Sequence, residues 1–570
     1  MRNSPHRSKH IHRTDRRSHM RVVDVIAGIL KREGVRHLKC YPTTVQIEAA
    51  AAVGIRPIVC RQERVGVGIA DGFARVTNGA APSVFTMQYG PGAENAFPGI
   101  STAYSDSTPM LLLPLGHARG RDRVFPMFSS VDSYASVTKS AEQINVPERT
   151  ADAMRRAVHA LKNGRPGPVL VELPEDIAGA EVPDDMLGGY KPVKRTRAQA
   201  DPQDVESAAD ALLDAERPVI LAGAGVLYAE ATDELRELAE LLQIPVMTTM
   251  EGKSAISEAN HPLALGVGSS VMSGPAYHFL KDADLVFAVG TSLTDHGLAT
   301  RVPGGKTIVH ATNDPVDLNK SYAADHPVLG DAKLVLRQFI DCCAERVKNA
   351  DRSGREGVQE QVAKTRKAWL DDWAPKLASD EVPINPYRVI RELMQNVPPA
   401  EAIATHDSGN PRYEMLPMYL CDMPRSYLGW GKSHQLGTGL GLAMGAKLAA
   451  PDKFCVNFMG DAAFGMTGLD FETAVRENLP ICTVVLKNST MAVETNHMAL
   501  SHEKYGTRDV GGEYADIARA LGGWAKRVEE PNKVGPAFLE ARRVTEEGTP
   551  ALLEFITSEE MGYSHARPFG

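Results

Sequence analysis

The sequence lacks any run of about 18 consecutive apolar residues, which is the length that a membrane-spanning helix needs. It has no CxxC pair, and its 7 cysteines stand mostly in apolar stretches, which argues against a zinc site or a disulfide framework. A basic excess is also missing, because 63 basic residues against 71 acidic ones give a net charge of -8. These absences predict a cytoplasmic protein with reduced thiols and small-molecule partners, and without nucleic-acid or membrane partners.

The N-terminal segment is basic and carries almost no apolar residue. Such a composition fits neither a signal peptide nor a good amphipathic transit helix. We therefore predict that residues 1–20 form a disordered basic extension and that folding begins near Met20.

The rest of the chain alternates short apolar strands with amphipathic helices in three segments, which is the pattern of doubly wound α/β layers. Polar, charged linkers separate the segments. We predict α/β domains with mainly parallel sheets at residues 21–185, 203–345 and 387–556. A tail at residues 557–570 would cover an active site.

The most informative stretch of the sequence is a strand, a helix and a second strand in the third domain. Parallel strands joined by a right-handed crossover bring their carboxyl ends to one edge, so Asp461 and Asn488 are predicted to converge. A carboxylate and an amide oxygen suit Mg²⁺ that is shared with a diphosphate. Small residues, Gly460, Ala462 and Ala463, allow the diphosphate to approach. The alternative is that Gly460 and Asp461 only make a turn.

This stretch, GDAAFGMTGLDFETAVRENLPICTVVLKNS at residues 460–489, resembles the cofactor signature of thiamine diphosphate (ThDP) enzymes, especially the acetolactate synthase-like group. The resemblance implies a pyrimidine-binding first domain, a Rossmann-like middle domain and a diphosphate-binding third domain. It implies that Mg²⁺ is held by Asp461, Asn488 and the backbone carbonyl of Thr490. It further implies a diphosphate loop of Ser408, Gly409 and Asn410.

The segment from Cys60 to Arg75 resembles the part of these enzymes that carries the cofactor-activating glutamate, and Gln88 to Asn95 follows at the expected distance. The resemblance implies that Glu63 activates the aminopyrimidine ring of ThDP by hydrogen bonding and proton sharing. It also implies that Glu63 and Asp461 meet across a subunit interface, with a homodimer as the minimal active unit and a homotetramer expected. The alternative is a first-turn glutamate that interacts only with the helix dipole.

Two further residues belong to the segment from Gly431 to Lys447. Leu436 matches the bulky apolar residue that bends the cofactor in this family. His434 stands where the family usually has a glycine, whose carbonyl accepts a hydrogen bond from the aminopyrimidine. The backbone carbonyl survives this change, and the imidazole is expected either to pack or to contact the substrate.

In the middle domain, Pro218 to Gly225 contains a GxG turn, which by itself is weak evidence of nucleotide binding. A purely structural domain and a domain that binds ADP are both left open. The FAD-linked features of acetolactate synthase are not recognisable, so no FAD is expected.

Three departures from an acetolactate synthase concern the substrate. An arginine for the substrate carboxylate is missing near Ser292, Pro126 replaces a glutamine, and Glu494 replaces an apolar residue. Because a carboxylate at Glu494 would repel a 2-ketoacid, the combination resembles the 2-hydroxyacyl-CoA lyases, which release formyl-CoA and a ketone or aldehyde. Glu494 would then shuttle the hydroxyl proton, unless it is a solvent-facing helix residue.

This interpretation implies a short acyl-CoA substrate. The acyl pocket would be shaped by Phe125, Met127, Val493 and His497. In the tail, His565 and Arg567 would cover the CoA, unless the terminus frays. Two other functions are left open: an acetolactate synthase-like 2-ketoacid decarboxylase or carboligase, and a catalytically silent subunit that keeps the ThDP fold for binding.

Overall fold

The computed structural model describes residues 19–348 and 353–569, so residues 1–18 of the predicted extension lie outside the described residues. The chain forms three six-stranded sheets in which all neighbouring strands are parallel. Six hydrophobic clusters fill the two faces of these sheets. The predicted fold class of three doubly wound α/β units is confirmed.

The first unit has the sheet order β3-β2-β4-β5-β7-β6, and β1 and β8 form a separate antiparallel pair. Its elements are β1 His19–Arg21, α1 Val22–Arg32, β2 His37–Cys40, α2 Val45–Ala52, β3 Arg56–Val59, α3 Glu63–Thr77, β4 Val84–Met87, α4 Pro91–Ser105, β5 Leu111–Gly116, α5 Ser130–Tyr134, β6 Ser140–Gln143, α6 Thr150–Lys162, β7 Val169–Pro174, α7 Glu175–Ala178, β8 Glu181–Pro183 and α8 Asp185–Gly188.

The middle unit has the order β11-β10-β9-β12-β13-β14, which is the order of a Rossmann sheet. Its elements are α9 Pro202–Asp214, β9 Pro218–Ala222, α10 Ala224–Tyr228, α11 Thr232–Leu242, β10 Val246–Thr248, β11 Ala264–Val267, α12 Gly274–Asp282, β12 Leu285–Val289, β13 Thr307–Thr312, β14 His326–Leu329 and α13 Ala332–Arg346. The helix α14 Val358–Leu377 then leads to the third unit.

The third unit repeats the strand order of the first, as β16-β15-β17-β18-β20-β19. Its elements are α15 Pro386–Asn396, β15 Ala402–His406, α16 Asn410–Met418, β16 Tyr427–Leu428, α17 Thr438–Ala449, β17 Phe454–Gly460, α18 Asp461–Thr467, α19 Phe471–Arg476, β18 Cys482–Lys487, α20 Ala499–Tyr505, α21 Tyr514–Ala520, β19 Trp524–Val528, α22 Val534–Glu546 and β20 Ala551–Ile556. Strands β17 and β18 are almost continuous apolar runs, because helices cover both of their faces.

The first and third units meet where α3 crosses α17. A Cβ added at Gly72 would lie 2.2 Å from the carbonyl oxygen of Leu442, and one at Gly445 would lie 2.2 Å from that of Ile69. Only residues without a side chain allow backbones to approach this closely. The crossing places the N-terminal end of α3, which begins at Glu63, beside the turn before α17.

No helix in the described ranges combines the length and apolar character that crossing a membrane requires.

Candidate functional site

A cavity of about 270 Å³ lies at the carboxyl ends of the strands in the third sheet. β15 and β17 are neighbours there, while β16 lies on the outer side of β15 and β18 on the outer side of β17. This is the topological switch point at which open α/β sheets bind ligands. The predicted residues that the structure brings together in its lining are Ser408, Gly409, Asn410, His434, Leu436, Gly460, Asp461, Ala462, Ala463, Asn488, Thr490, Val493 and Glu494.

Asp461 is the first residue of α18 and directly follows β17. Its buried carboxylate accepts hydrogen bonds from the backbone N–H groups of Ala462 at 2.8 Å and Ser489 at 2.7 Å. The second bond ties the end of β17 to the loop after β18, directly beside Asn488. Burial raises the pKa of the Asp461 carboxyl above its ordinary value. A cation at this point would offset the cost of burying the charged form.

The loop after β18 holds Asn488 in a turn. Its amide oxygen accepts a hydrogen bond from the N–H of Thr490 at 3.1 Å, and Ser489 between them has a left-handed φ of 61°. Asn488 and Thr490 line the cavity together with Asp461, so carboxylate, amide and main-chain oxygens are available at one edge. Such oxygens suit Mg²⁺. Within the described part of the chain, no group of three or more His, Cys, Asp or Glu side chains could hold a metal.

Two glycines leave open space beside these polar groups. A Cβ added at Gly409 or Gly460 would meet no atom within 4 Å. Gly409 has a φ of +89°, which glycine adopts readily, and directly precedes the N-terminus of α16. Free N–H groups at a helix N-terminus bind phosphate oxygens. The residues present therefore fit a diphosphate that lies between this loop and the carboxylate of Asp461.

Sequence reasoning misses Asp407, the residue before the Ser408 loop. Asp407 is fully buried and accepts hydrogen bonds at 2.8 Å from the N–H groups of Ser408, Gly437 and Gly439. These bonds fix the loop against the turn that carries Leu436. Burial raises the pKa of Asp407 to about 6. The available signal was an acid directly after an apolar strand.

Sequence reasoning also misses Arg412 and Glu414, which α16 carries into the lining. Both side chains are buried. The two carboxyl oxygens of Glu414 and the Nε and Nη1 atoms of Arg412 have no hydrogen-bond partner. Burial raises the pKa of Glu414 to about 8 and lowers the pKa of Arg412. No sequence motif marks these two residues, because their unusual state depends on which partners are absent in three dimensions.

Glu63 is buried at the start of α3, where its Oε2 atom accepts a hydrogen bond from Asn95 at 2.6 Å. The next residue, Arg64, donates to the backbone carbonyl of Leu436. Glu63 is nevertheless not among the described residues that line the cavity of the same chain. The activation of a cofactor by Glu63 stays a prediction.

The structure does not bring the four predicted pocket residues together within one chain. Val493 lines the cavity beside Glu494, whereas His497 is exposed, with its Nδ1 atom 3.9 Å from the carboxylate of Glu494. Phe125 and Met127 lie on a loop of the first unit, and Phe125 is 94% exposed. Their role in a substrate pocket stays a prediction.

The C-terminal tail runs from the cavity to the middle unit. The carbonyl of Glu560 accepts a hydrogen bond from the Asn410 amide at 2.9 Å, and the Tyr563 hydroxyl donates to the Asn410 amide oxygen at 2.7 Å. Further along, His565 stacks on an aromatic ring of α12, and the N–H of Arg567 donates to a carbonyl before that helix. The tail therefore holds the side chain of a residue in the predicted diphosphate loop.

The middle unit has its own switch point, between β9 and β12, with a cavity of about 80 Å³. Opposite charges face each other there, with Arg165 2.8 Å from Asp317 and Lys432 3.3 Å from Glu251. Small-molecule sites usually have about 300–1,000 Å³, so this volume gives no support to a bound ADP. ADP binding and the expected absence of FAD both stay predictions.

Comparison with known proteins connects all three units to one family. Three family models of thiamine pyrophosphate (TPP) enzymes match the chain. They are the N-terminal TPP binding domain at residues 20–135, the central domain at residues 205–339 and the C-terminal TPP binding domain at residues 407–555. TPP and ThDP are the same compound. A probable acetolactate synthase large subunit of Methanococcus aeolicus is 31% identical, over 90% of this chain and 87% of its own length.

Two further relatives have similar names. A probable acetolactate synthase large subunit of Methanocaldococcus jannaschii is 30% identical over 94% of this chain and 92% of its own length. The acetolactate synthase isozyme 3 large subunit of Escherichia coli K12 is 28% identical over 82% of each chain.

The predicted 2-hydroxyacyl-CoA lyase function, with formyl-CoA as a product, is wrong, because the similarity over most of the chain is to proteins named acetolactate synthases. That prediction treated three substitutions as one altered substrate pocket. The structure separates them within the chain: Ser292 lines the cavity of the middle unit, Pro126 is exposed on a loop, and Glu494 alone lines the cavity of the third unit. The dependence on ThDP is untouched by this correction, and the chain belongs to the thiamine pyrophosphate enzymes.

Proposed function

We propose that the protein is a ThDP- and Mg²⁺-dependent carboligase that decarboxylates a 2-ketoacid and joins the remaining acyl unit to a second carbonyl compound. The observation that carries this proposal is the similarity over 90% of the chain to a relative named as a probable acetolactate synthase large subunit. The cavity of the third unit supports the proposal. Its lining combines Asp461 as a ligand for a cation, two glycines that leave space for a diphosphate, and Glu494 as a second carboxylate.

The residues of the cavity divide into a metal group and a cofactor group. Asp461, Asn488 and the carbonyl of Thr490 would hold Mg²⁺, and the loop before α16 would hold the diphosphate. Leu436 would support the bend of the cofactor, and the carbonyl of His434 would accept a hydrogen bond from its aminopyrimidine ring. Bound ThDP supplies the nucleophilic carbon and the electron sink that a 2-ketoacid needs to lose CO₂.

Glu494 is the proposed proton carrier of the joining step. Two 2-ketoacid anions and one proton give one 2-hydroxy-3-ketoacid anion and CO₂, so a proton must reach the acceptor oxygen as the new carbon–carbon bond forms. Glu494 lines the cavity, and its carboxylate lies 3.9 Å from the exposed imidazole of His497. Because 38% of the Glu494 side chain is exposed, its carboxyl can exchange a proton with solvent directly, and water screens its repulsion of a 2-ketoacid.

Glu63 is proposed to act on the cofactor of a second copy of the chain, which makes a homodimer the minimal active unit. Two observations support this proposal: Glu63 is outside the lining of the cavity in its own chain, and the apolar ring of Phe125 is 94% exposed on the same unit. A second copy would cover that ring and supply the missing carboxylate.

The function is tested by product analysis of the full chain with ThDP, Mg²⁺ and pyruvate. We expect CO₂ and acetolactate in equal amounts, both lost when either ThDP or Mg²⁺ is omitted. Glu494→Gln should slow acetolactate formation while leaving ThDP affinity unchanged, because it removes the proton carrier and keeps the side-chain shape. Wild-type protein that binds ThDP but consumes neither pyruvate nor any other 2-ketoacid of a panel would refute the proposed function.

The homodimer is tested by mixing two inactive variants, Glu63→Gln and Asp461→Ala. If each site takes Glu63 from one chain and Asp461 from the other, mixed dimers contain one intact site, and random exchange restores about a quarter of the wild-type activity. Mixtures that stay inactive, although subunit exchange is verified, would place both residues in one chain.

A further inference from the structure

Arg412 is a cation in the cavity of the third unit that has no anionic partner. It lies in the first turn of α16, is 2% exposed and lines the cavity. Its Nε and Nη1 atoms have no hydrogen-bond partner. The guanidinium carbon lies 5.2 Å from the centre of the Tyr413 ring, and the side chain of Tyr413 is a hydrogen-bond partner that carries no compensating charge at neutral pH. In the described ranges, Arg412 forms no ion pair. A buried charge in this state is costly unless a ligand supplies the counter-charge.

The other deeply buried arginines of the described chain show what a compensated guanidinium looks like. Arg75 forms ion pairs with Asp71 and Asp106. Arg355 donates to several backbone carbonyls. Arg508 pairs with Glu559 and donates to two hydroxyl groups. Arg75 and Arg508 thus have carboxylate partners and Arg355 has carbonyl partners, although the Nε atom of Arg508 is also without a partner. Among the described residues, Arg412 has neither kind of partner, and it is the one of the four that lines the cavity of the third unit.

Neighbouring Glu414 is also buried without a partner, and it differs from Arg412 in how it can avoid the cost of a buried charge. Both residues are buried on α16, but two residues apart they lie on opposite sides of the helix and cannot pair with each other. Burial raises the pKa of Glu414 to about 8, so this acid avoids its own desolvation cost by keeping a proton at neutral pH. A guanidinium cannot lose its proton in this way. Moreover, the positive end of the α16 dipole adds to its charge.

The remaining charges of the lining agree with a bound anion. The carboxyl groups in the lining belong to Glu414, Asp461 and Glu494. Among the described lining residues, Arg412 is the one lysine or arginine. An anionic ligand in this cavity therefore has a single guanidinium to meet, apart from any metal ion held by Asp461. Guanidinium groups bind carboxylate and phosphate oxygens in a fork geometry that lysine does not reproduce.

We propose that Arg412 binds an oxyanion of the bound reactants, which is either the diphosphate of ThDP or the carboxylate of the 2-ketoacid. The diphosphate source requires only the cofactor of the family, whereas the carboxylate source rests on the function proposed above. In the second case, Arg412 would take the role of the arginine that acetolactate synthases use for the substrate carboxylate and that is missing near Ser292. Ser292 itself lines the cavity of the middle unit.

The test compares Arg412→Met and Arg412→Lys with Arg388→Met. Methionine keeps most of the apolar stem, and lysine keeps the charge without the fork. The control removes a guanidinium of the adjacent helix α15 that pairs with Asp380 and Glu392 and lies outside the lining. For each protein we would measure the melting temperature without cofactor, the dissociation constants of ThDP with Mg²⁺ and of thiamine, and KM and kcat for pyruvate at saturating ThDP.

Each source of the oxyanion has its own signature. If Arg412 meets the diphosphate, Arg412→Met weakens ThDP binding at least about tenfold and leaves thiamine binding unchanged. If it meets the substrate carboxylate, ThDP binding is unchanged and KM for pyruvate rises at least about tenfold, with a smaller change in kcat. In both cases Arg412→Lys gives an intermediate value, and Arg388→Met keeps the ThDP affinity and KM of wild type. Without cofactor, Arg412→Met melts no lower than wild type because it loses an uncompensated charge, whereas Arg388→Met melts lower because it loses paired ones.

The inference is overturned if ThDP affinity and KM both stay within about twofold of wild type in Arg412→Met. It is equally overturned if this variant melts far below wild type or fails to fold, since Arg412 would then be a structural residue. Wild-type protein that turns over neither pyruvate nor any other 2-ketoacid of the panel refutes the proposed function instead, and the ThDP and thiamine measurements alone then decide the inference.

Discussion

The third and middle units carry parallel sheets of equal size, and both sheets have glycines at the switch point, yet the two edges differ physically. In the middle unit, a Cβ added at Gly223 would lie 2.3 Å from the carbonyl oxygen of Gly290, so the glycines there let two backbone segments touch. In the third unit, a Cβ at Gly409 or Gly460 would meet nothing within 4 Å. One set of glycines closes an edge, and the other keeps it open for a ligand.

Charged groups follow the same division. Around the small cavity of the middle unit, Arg165 and Asp317 lie at ion-pair distance. In the larger cavity of the third unit, Arg412 and Glu414 are buried without hydrogen-bond partners for most of their polar atoms. Buried polar groups without partners cost stability, and Arg412 and Glu414 combine this state with a place in the lining of a cavity, where a ligand could satisfy them.

The largest expected effect concerns the acid at the open edge. Asp461→Ala should weaken Mg²⁺-dependent ThDP binding at least about 100-fold, because loss of even an outer-shell metal partner commonly costs about 10–100-fold. Asp331→Ala is the matched change at the closed edge, where Asp331 lines the cavity and caps α13. It should leave ThDP affinity unaltered. Calorimetric titration measures both, and equal losses of affinity in the two variants would erase the proposed difference.

Alanine substitutions of the glycines at the two edges should have different effects, one on the stability of the protein and the other on its affinity for ThDP. Gly223→Ala is expected to destabilise the protein without cofactor by about 3 kcal/mol, because the new methyl group overlaps the Gly290 backbone. Gly460→Ala meets open space, so it should leave that stability unchanged and weaken ThDP binding about tenfold, or about 1.4 kcal/mol. Denaturant unfolding and ThDP titration of both variants give the comparison. A destabilised Gly460→Ala protein with normal affinity would contradict it.

A smaller effect than the loss of stability in Gly223→Ala is the pH dependence that Glu414 imposes on the open edge. Burial raises its pKa from 4.5 to about 8, so between these values the folded chain holds a proton that the unfolded chain has released. Wild type should therefore lose stability relative to Glu414→Gln as the pH rises through this window, by about 2 kcal/mol between pH 6 and pH 8. Unfolding of both proteins at the two pH values measures the difference, and parallel pH profiles would show that Glu414 does not titrate there.

Much of the fold and part of the site could be predicted from sequence because they depend on local pattern and topology. Apolar strands alternating with amphipathic helices predict parallel sheets, and a right-handed crossover brings the ends of adjacent strands together. For that reason Asp461 and Asn488 line one cavity, as expected, and the N–H of Ser489, the residue after Asn488, donates a hydrogen bond to Asp461.

The rest depends on three-dimensional relations that no short pattern encodes. Arg412 and Glu414 are unusual only because partners are missing around them after folding. The resemblance predicts Ser292 and Pro126 in one pocket, whereas the folded chain has them at separate sites. The partners of Glu63 and Phe125 beyond their own unit depend on assembly, which a single chain does not determine.

The most direct measurement is an anomalous-difference map of crystals grown with ThDP and Mn²⁺ in place of Mg²⁺. We expect one manganese peak per chain, at about 2.2 Å from the carboxylate of Asp461 and from the amide oxygen of Asn488, with the diphosphate density at the N-terminus of α16. Manganese or cofactor density at the edge between β9 and β12 in the middle unit, with the cavity of the third unit left without either, would contradict the assignment.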